Sequence, residues 1–175
     1  MAEELKELRP PARRESQGTV MKANPGAHPT EICEIPGVGE VDEKQNINYR
    51  VLYIPVARKF PLVDGFFFME TPRRTLVGLQ MTTAGEHHTT TSTVRQFTQY
   101  LSKFFNGWEE FAQGLSWEII YVRHADSTPM NDWRRCDVVD PPGVGDVDHE
   151  RIAAFWETTH QYQFALTDCF LRRIL

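Results

Sequence analysis

Asp64 is the residue whose type and setting most directly invite chemistry. It stands in the run Phe60-Pro61-Leu62-Val63-Asp64-Gly65-Phe66-Phe67-Phe68-Met69-Glu70. An ionised carboxylate among so many apolar neighbours is costly unless a cation or hydrogen-bond donors compensate it. Further along, Gln80 and Thr82 alternate with Met81, so in a strand both side chains leave on one face. A turn at Thr71-Pro72-Arg73-Arg74 brings the two segments alongside each other. Carboxylate, amide oxygen and hydroxyl then form a hard, oxygen-rich corner suited to Mg²⁺ or Mn²⁺, with Asp64 and Gln80 as the metal ligands. His87 and His88 come next in the chain within reach of that corner, as base or ligand. The residues alone leave a second reading open, in which Asp64 starts a bulge at Gly65 and is satisfied by a local hydrogen bond.

The elements that must position these groups are set by periodicity. Tyr49 to Val56, Phe60 to Glu70 and Thr75 to Thr82 are rich in β-branched and aromatic residues and predict three strands, the last two an antiparallel hairpin. After the polar loop Thr83-Ala84-Gly85-Glu86-His87-His88 the period becomes 3.6. Val94, Phe97, Leu101, Phe104 and Phe105 fall on one face of a helix that Ser92 or Thr93 can cap and Gly107 ends. Trp117 to Val122 predicts a strand, Arg151 to Thr159 a helix and Tyr162 to Leu166 a last strand. The fold class is therefore α/β, a mixed β-sheet with flanking helices. Residues 1–30, with their Pro, Gly and charge, read as a flexible N-terminal arm, and 31–175 as a single domain. Pro36-Gly37-Val38-Gly39-Glu40-Val41-Asp42 nearly repeats as Pro142-Gly143-Val144-Gly145-Asp146-Val147-Asp148, a Pro-Gly turn with an Asp after it able to cap a helix.

Composition narrows the classes. Hydrophobic residues at 41% and charged residues at 25% belong to a globular chain. No apolar run approaches the length of a membrane span, and Met1 to Lys6 lacks the apolar region of a secretory signal. Three cysteines without a CxxC pair suit a reducing compartment and argue against structural zinc. No Walker A sequence is present. The net charge of −5 runs mildly against nucleic acid, although residues 49–115 alone carry more basic than acidic side chains. Trp108, Trp117, Trp133 and Trp156 read as core, and Arg134-Arg135 and Arg172-Arg173 as solvated pairs.

Several segments carry a family likeness. Ile54-Pro55-Val56, the Phe60 to Phe68 run, Leu79-Gln80-Met81-Thr82 with His87-His88, Trp117 to Val122, Asp126-Ser127-Thr128-Pro129-Met130-Asn131-Asp132-Trp133 and Phe155-Trp156 resemble the retrotransposon hot spot (RHS) proteins of trypanosomes. Family members look like longer chains with an ATPase region ahead of this part, which implies a short member or a carboxyl-terminal fragment. The resemblance further implies a restriction-endonuclease-like core, shared with the Crinkler effectors, in which an Asp on one strand precedes [D/E/Q]xK on the next. Asp64 and Gln80 match the first two positions, and Thr82 stands where the Lys belongs. Gln96 and Tyr100 match the QxxxY pattern that some nucleases of this fold carry on the next helix. Glu31, Glu34 or Glu43 would be the upstream acid. A neutral Gln80 and an uncharged Thr82 weaken any metal site, with His87 or His88 as the remaining base. Two functions are thus expected: a degenerate nuclease-like domain in a nuclear, chromatin- or transcription-associated role with protein partners, or a metal-dependent nuclease acting on DNA or RNA.

Overall fold

In a computed structural model, which describes residues 5–8, 19–82, 89–139 and 146–167, the predicted hairpin sits at the centre of one sheet. The strands are β1 (Lys6–Glu7), β2 (Glu31–Ile35), β3 (Val51–Pro55), β4 (Gly65–Met69), β5 (Thr75–Thr82), β6 (Thr89–Thr90), β7 (Ser116–His124), β8 (Cys136–Asp137) and β9 (His160–Leu166). The helices are α1 (Val20–Ala23), α2 (Thr91–Phe104), α3 (Trp108–Phe111) and α4 (Asp146–Thr158). Seven strands form the main sheet in the order β1-β9-β7-β5-β4-β3-β2, and β6 pairs with β8. β3, β4 and β5 are successive antiparallel neighbours, whereas β5, β7 and β9 run parallel through helical crossovers. The mixed α/β sheet expected from the sequence is the observed fold.

Alternation along the strands builds a core on each face. On one, Phe66, Phe68, Leu76, Trp117, Ile119 and Tyr121 meet the apolar stripe of α2: Val94, Phe97, Leu101 and Phe104. On the other, Phe67, Met69, Val77, Ile120, Val122 and Tyr162 gather with Val20. All four tryptophans are buried, as read from the sequence. The helix cap lies slightly earlier than predicted. Thr90, extended at φ −113° and ψ 152°, accepts the Thr93 amide on its side chain, because its place in β6 already gives it the backbone a cap requires.

β5 lies at the middle of the sheet, and Gly78 is the reason its neighbours can close on it. A Cβ there would stand 2.7 Å from Val63 Cγ1 and 2.8 Å from Ile119 Cδ1, distances that real contacts do not reach. Val63 and Ile119 can close on the strand at this point because this side chain is missing.

Within the segment predicted as a flexible arm, two short stretches meet the sheet, around Lys6 to Leu8 and at Thr19 and Val20, while most of residues 22–30 is exposed. Lys6 and Glu7 pair with β9, and Leu8 and Val20 are buried. Residues 1–4 and 9–18 of that segment lie outside the described residues. The anchor is Glu118 of β7, fully buried, which the sequence hides inside an apolar strand. Its Oε2 accepts the Thr19 hydroxyl at 2.7 Å, and its Oε1 accepts the Val20 amide at 3.0 Å and Arg73 Nη2 at 2.8 Å. Burial outweighs these donors and raises the Glu118 carboxyl above its usual range.

This packing has two measurable outcomes. Gly78→Ala should lower stability by about 1–3 kcal/mol through overpacking, read as a shift of the urea midpoint, and an unchanged midpoint would contradict the close approach. For Glu118, a raised folded-state pKa means that the native protein holds this proton where the unfolded chain has lost it. The stability it contributes is complete below the unfolded value and declines as pH climbs through the raised one. Glu118→Gln cannot ionise, so its stability relative to the parent should rise as pH climbs above the ordinary carboxylate range in paired urea titrations. A relative stability that falls over that climb would refute it.

Candidate functional site

Asp64 does not lie within its strand. Val63 N–H donates to Pro61 O at 2.8 Å and Leu62 has φ of 69°, so the chain makes a tight γ-turn that ends the apolar approach before β4 begins. Asp64 comes out exposed at the mouth of the strand, where the sequence predicted an apolar surrounding on all sides. The β4–β5 register pairs Gly65 with Leu79 and ends there, so the expected pairing of Asp64 with Gln80 is not made: Asp64 starts a bulge before Gly65, the second reading that the sequence left open. The Asp64 amide donates to Leu79 O at 2.8 Å, and Asp64 Oδ2 accepts the Met81 amide at 2.6 Å. The carboxylate therefore caps the end of its own hairpin.

Gln80 and Thr82 share the α2 face of β5. Gln80 is half-buried, and its Oε1, shielded from solvent, accepts no hydrogen bond from the described residues. Gln96 on α2 and Gln80 on β5 line one open cavity of about 360 Å³, together with Lys59, Phe60 and Thr93. Gln96 Nε2 donates to Ser92 Oγ at 3.3 Å. Tyr100 separates from this group. Its hydroxyl donates to Pro36 O at 2.9 Å, its ring packs edge-on to Phe60, and burial raises the phenol well above its ordinary value. Of the residues matched to QxxxY, Gln96 reaches the site and Tyr100 supports the core. His87 and His88 lie outside the described residues. Glu31 and Glu34 sit on the edge strand β2, two strands from β5's partner, and Glu43 is exposed in a loop. Among the described residues no group of three or more His, Cys, Asp or Glu could hold a metal ion.

Against known proteins, no family model, no curated protein and no solved structure matches this chain. What can be read of the site comes from its own geometry.

Sequence reasoning missed Arg134. Expected as half of a solvated pair, it is buried while Arg135 is exposed. Arg134 Nη2 donates to Thr82 Oγ1 at 3.1 Å, and the guanidinium lies 4.3 Å from the centre of the Tyr121 ring. Its backbone is clamped as well: the amide donates to Gln161 Oε1 at 2.7 Å, while the carbonyl accepts Gln161 Nε2 at 3.0 Å and Trp156 Nε1 at 2.8 Å. Gln163 treats Met130 in the same way, accepting its amide and donating to its carbonyl. A cation thus stands against the hydroxyl at the position that the sequence pattern leaves uncharged. The one available signal was Gln161-Tyr162-Gln163, two amides at alternate positions of a strand whose inner face should be apolar.

Asp64→Ala should cost about 1 kcal/mol in chemical denaturation, since the Met81 amide loses its acceptor at a site that water can reach. Asp64→Asn keeps an acceptor and should lose less than half of that. Equal losses for the two variants, or none for Ala, would overturn the capping role.

Proposed function

We propose that this chain is a nuclease-like domain of the RHS kind that binds nucleic acid in a nuclear, chromatin- or transcription-associated setting without cleaving it. The order of three antiparallel strands, a helix and a strand parallel to the third supports a restriction-endonuclease-like core. The observation that carries the non-cleaving reading is the hydrogen bond from the Met81 amide to Asp64 Oδ2: the carboxylate that a metal site would need is engaged in ending the hairpin. A divalent ion would have to share that oxygen with a backbone donor, and its next ligand would be a neutral amide. Such a set has one formal negative charge, too little to hold a hard divalent ion against water in an exposed position.

A second reading, a metal-dependent nuclease, has a specific observation in its favour. Gln80 Oε1 is buried without a donor among the described residues, on the strand whose end the exposed Asp64 caps, and a bound Mg²⁺ or Mn²⁺ would satisfy that oxygen. On that reading Arg134 at Thr82 supplies the positive charge of the missing Lys.

Metal titration separates the two. The parent should show no rise in melting temperature with Mg²⁺ or Mn²⁺ and no nicking of plasmid or single-stranded substrate, because a ligand stabilises only a folded state that binds it. Gln80→Glu with Thr82→Lys should create a metal-dependent rise. A rise in the parent that Asp64→Asn abolishes would establish the nuclease reading in its place.

A further inference from the structure

Three features of the hairpin mouth point beyond a generic nucleic-acid face. The first is the cavity of about 360 Å³, which falls at the small end of small-molecule sites (about 300–1,000 Å³) and suits one ligand unit better than a continuous strand. The second is its polar lining. Gln80 and Gln96 place two carboxamides on facing elements, and among the described residues no carboxylate is part of its walls. A carboxamide carries donors and an acceptor together, which matches the mixed edge of a nucleobase and mismatches a bare anion. The buried, undonated Oε1 of Gln80 is the sharpest of these: it asks for an N–H. The third is backbone strain. Leu62 holds a positive φ, unusual for a branched side chain, and the turn it makes builds one wall of the same cavity. Lys59 sits at the rim of this wall, and Phe60, held edge-on by Phe97 and Tyr100, supplies an aromatic surface beside it. The larger cavity, a mainly apolar groove of about 650 Å³ on the opposite face of the sheet, has Lys22 and His28 among its lining but no carboxamide, and nothing in the structure shows what covers it.

We propose that this cavity receives a single unpaired nucleotide, its base edge read by Gln80 and Gln96, its ring against Phe60 and its phosphate at Lys59. The inference rests on the reading of the chain as a nucleic-acid-binding domain and names the form of nucleic acid it takes. A base within a duplex has its edge occupied by pairing and cannot enter, so the site selects single strands, loops or extruded bases. One rim cation predicts a weak dependence on salt, because few phosphates are neutralised.

The test is fluorescence anisotropy with labelled mixed-sequence single strands of DNA and of RNA, each beside its duplex, on the full chain. Single strands should bind at least about 10-fold tighter than duplexes. Gln80→Leu and Gln96→Ala should each weaken single-strand binding by about 10-fold, with duplex binding unchanged. Lys59→Ala should weaken it with a smaller salt slope. Gln96 and Lys59 are exposed, so their variants remain informative should Gln80→Leu fold poorly, which melting curves will reveal. Equal binding of single strand and duplex, untouched by the glutamine variants, would overturn the nucleotide site while leaving the nucleic-acid reading standing. Absence of binding to every oligonucleotide would remove that underlying reading, and the site with it.

Discussion

Because side chains alternate along a strand, a slip of one residue between β4 and β5 would exchange every inward and outward group of the hairpin. Leu76 and Gly78 would turn away from α2, and the gap that Gly78 leaves for Val63 and Ile119 would close. Gln80 would leave the face it shares with Gln96. The register is held at one end by Met69 opposite Thr75 and at the other by Asp64, which uses both its amide and its carboxylate on β5. Core and candidate site thus depend on the same alignment. A polar residue at the mouth of an apolar strand fixes the phase of the apolar residues behind it.

The legible parts of the fold are those with a strong period. The apolar spacing from Val94 to Phe104 places the body of α2, though not its cap, and Thr75 to Thr82 has its predicted limits. The strand before it is shorter than predicted. Phe60 to Val63 is nearly as apolar as Phe66 to Met69, and only the backbone at Leu62 reveals that the run turns before Asp64. That Asp64 meets the end of β5 is legible from turn length; its exposure and its bonding to Leu79 and Met81 in place of Gln80 are not. Arg134 escapes because its burial is created by Tyr121, Gln161 and Trp156, groups from three other elements. Val20 escapes for a related reason: a short apolar pair in a polar stretch gains meaning only once Glu118 is seen to bind it.

Charge is distributed in a way that composition alone would not suggest. Two buried ionic groups, Glu118 and Arg134, face opposite sides of the sheet, Glu118 among Thr19, Val20 and Arg73, Arg134 beside Thr82 and Tyr121. Burial works against the charged form of each, raising the carboxyl of one and lowering the guanidinium of the other. The open cavity between β5 and α2 is by contrast built from neutral amides with a single lysine at its edge. The buried carboxyl and this neutral recognition surface are kept apart by the thickness of one sheet.

Gln161 and Gln163 carry a consequence of their own. Each amide side chain bonds both the N–H and the C=O of one residue in the stretch from Met130 to Arg134, which is how a neighbouring strand would address that residue. The side chains of β9 act as surrogate peptide groups, projecting a ladder off the plane of the sheet. A ladder of this kind reads only backbone, so it is indifferent to which amino acids fill positions 130 and 134. The backbone of that stretch is therefore fixed independently of its side chains, which are held by other means: Met130 fills the core, and Arg134 lies against Tyr121 and Thr82.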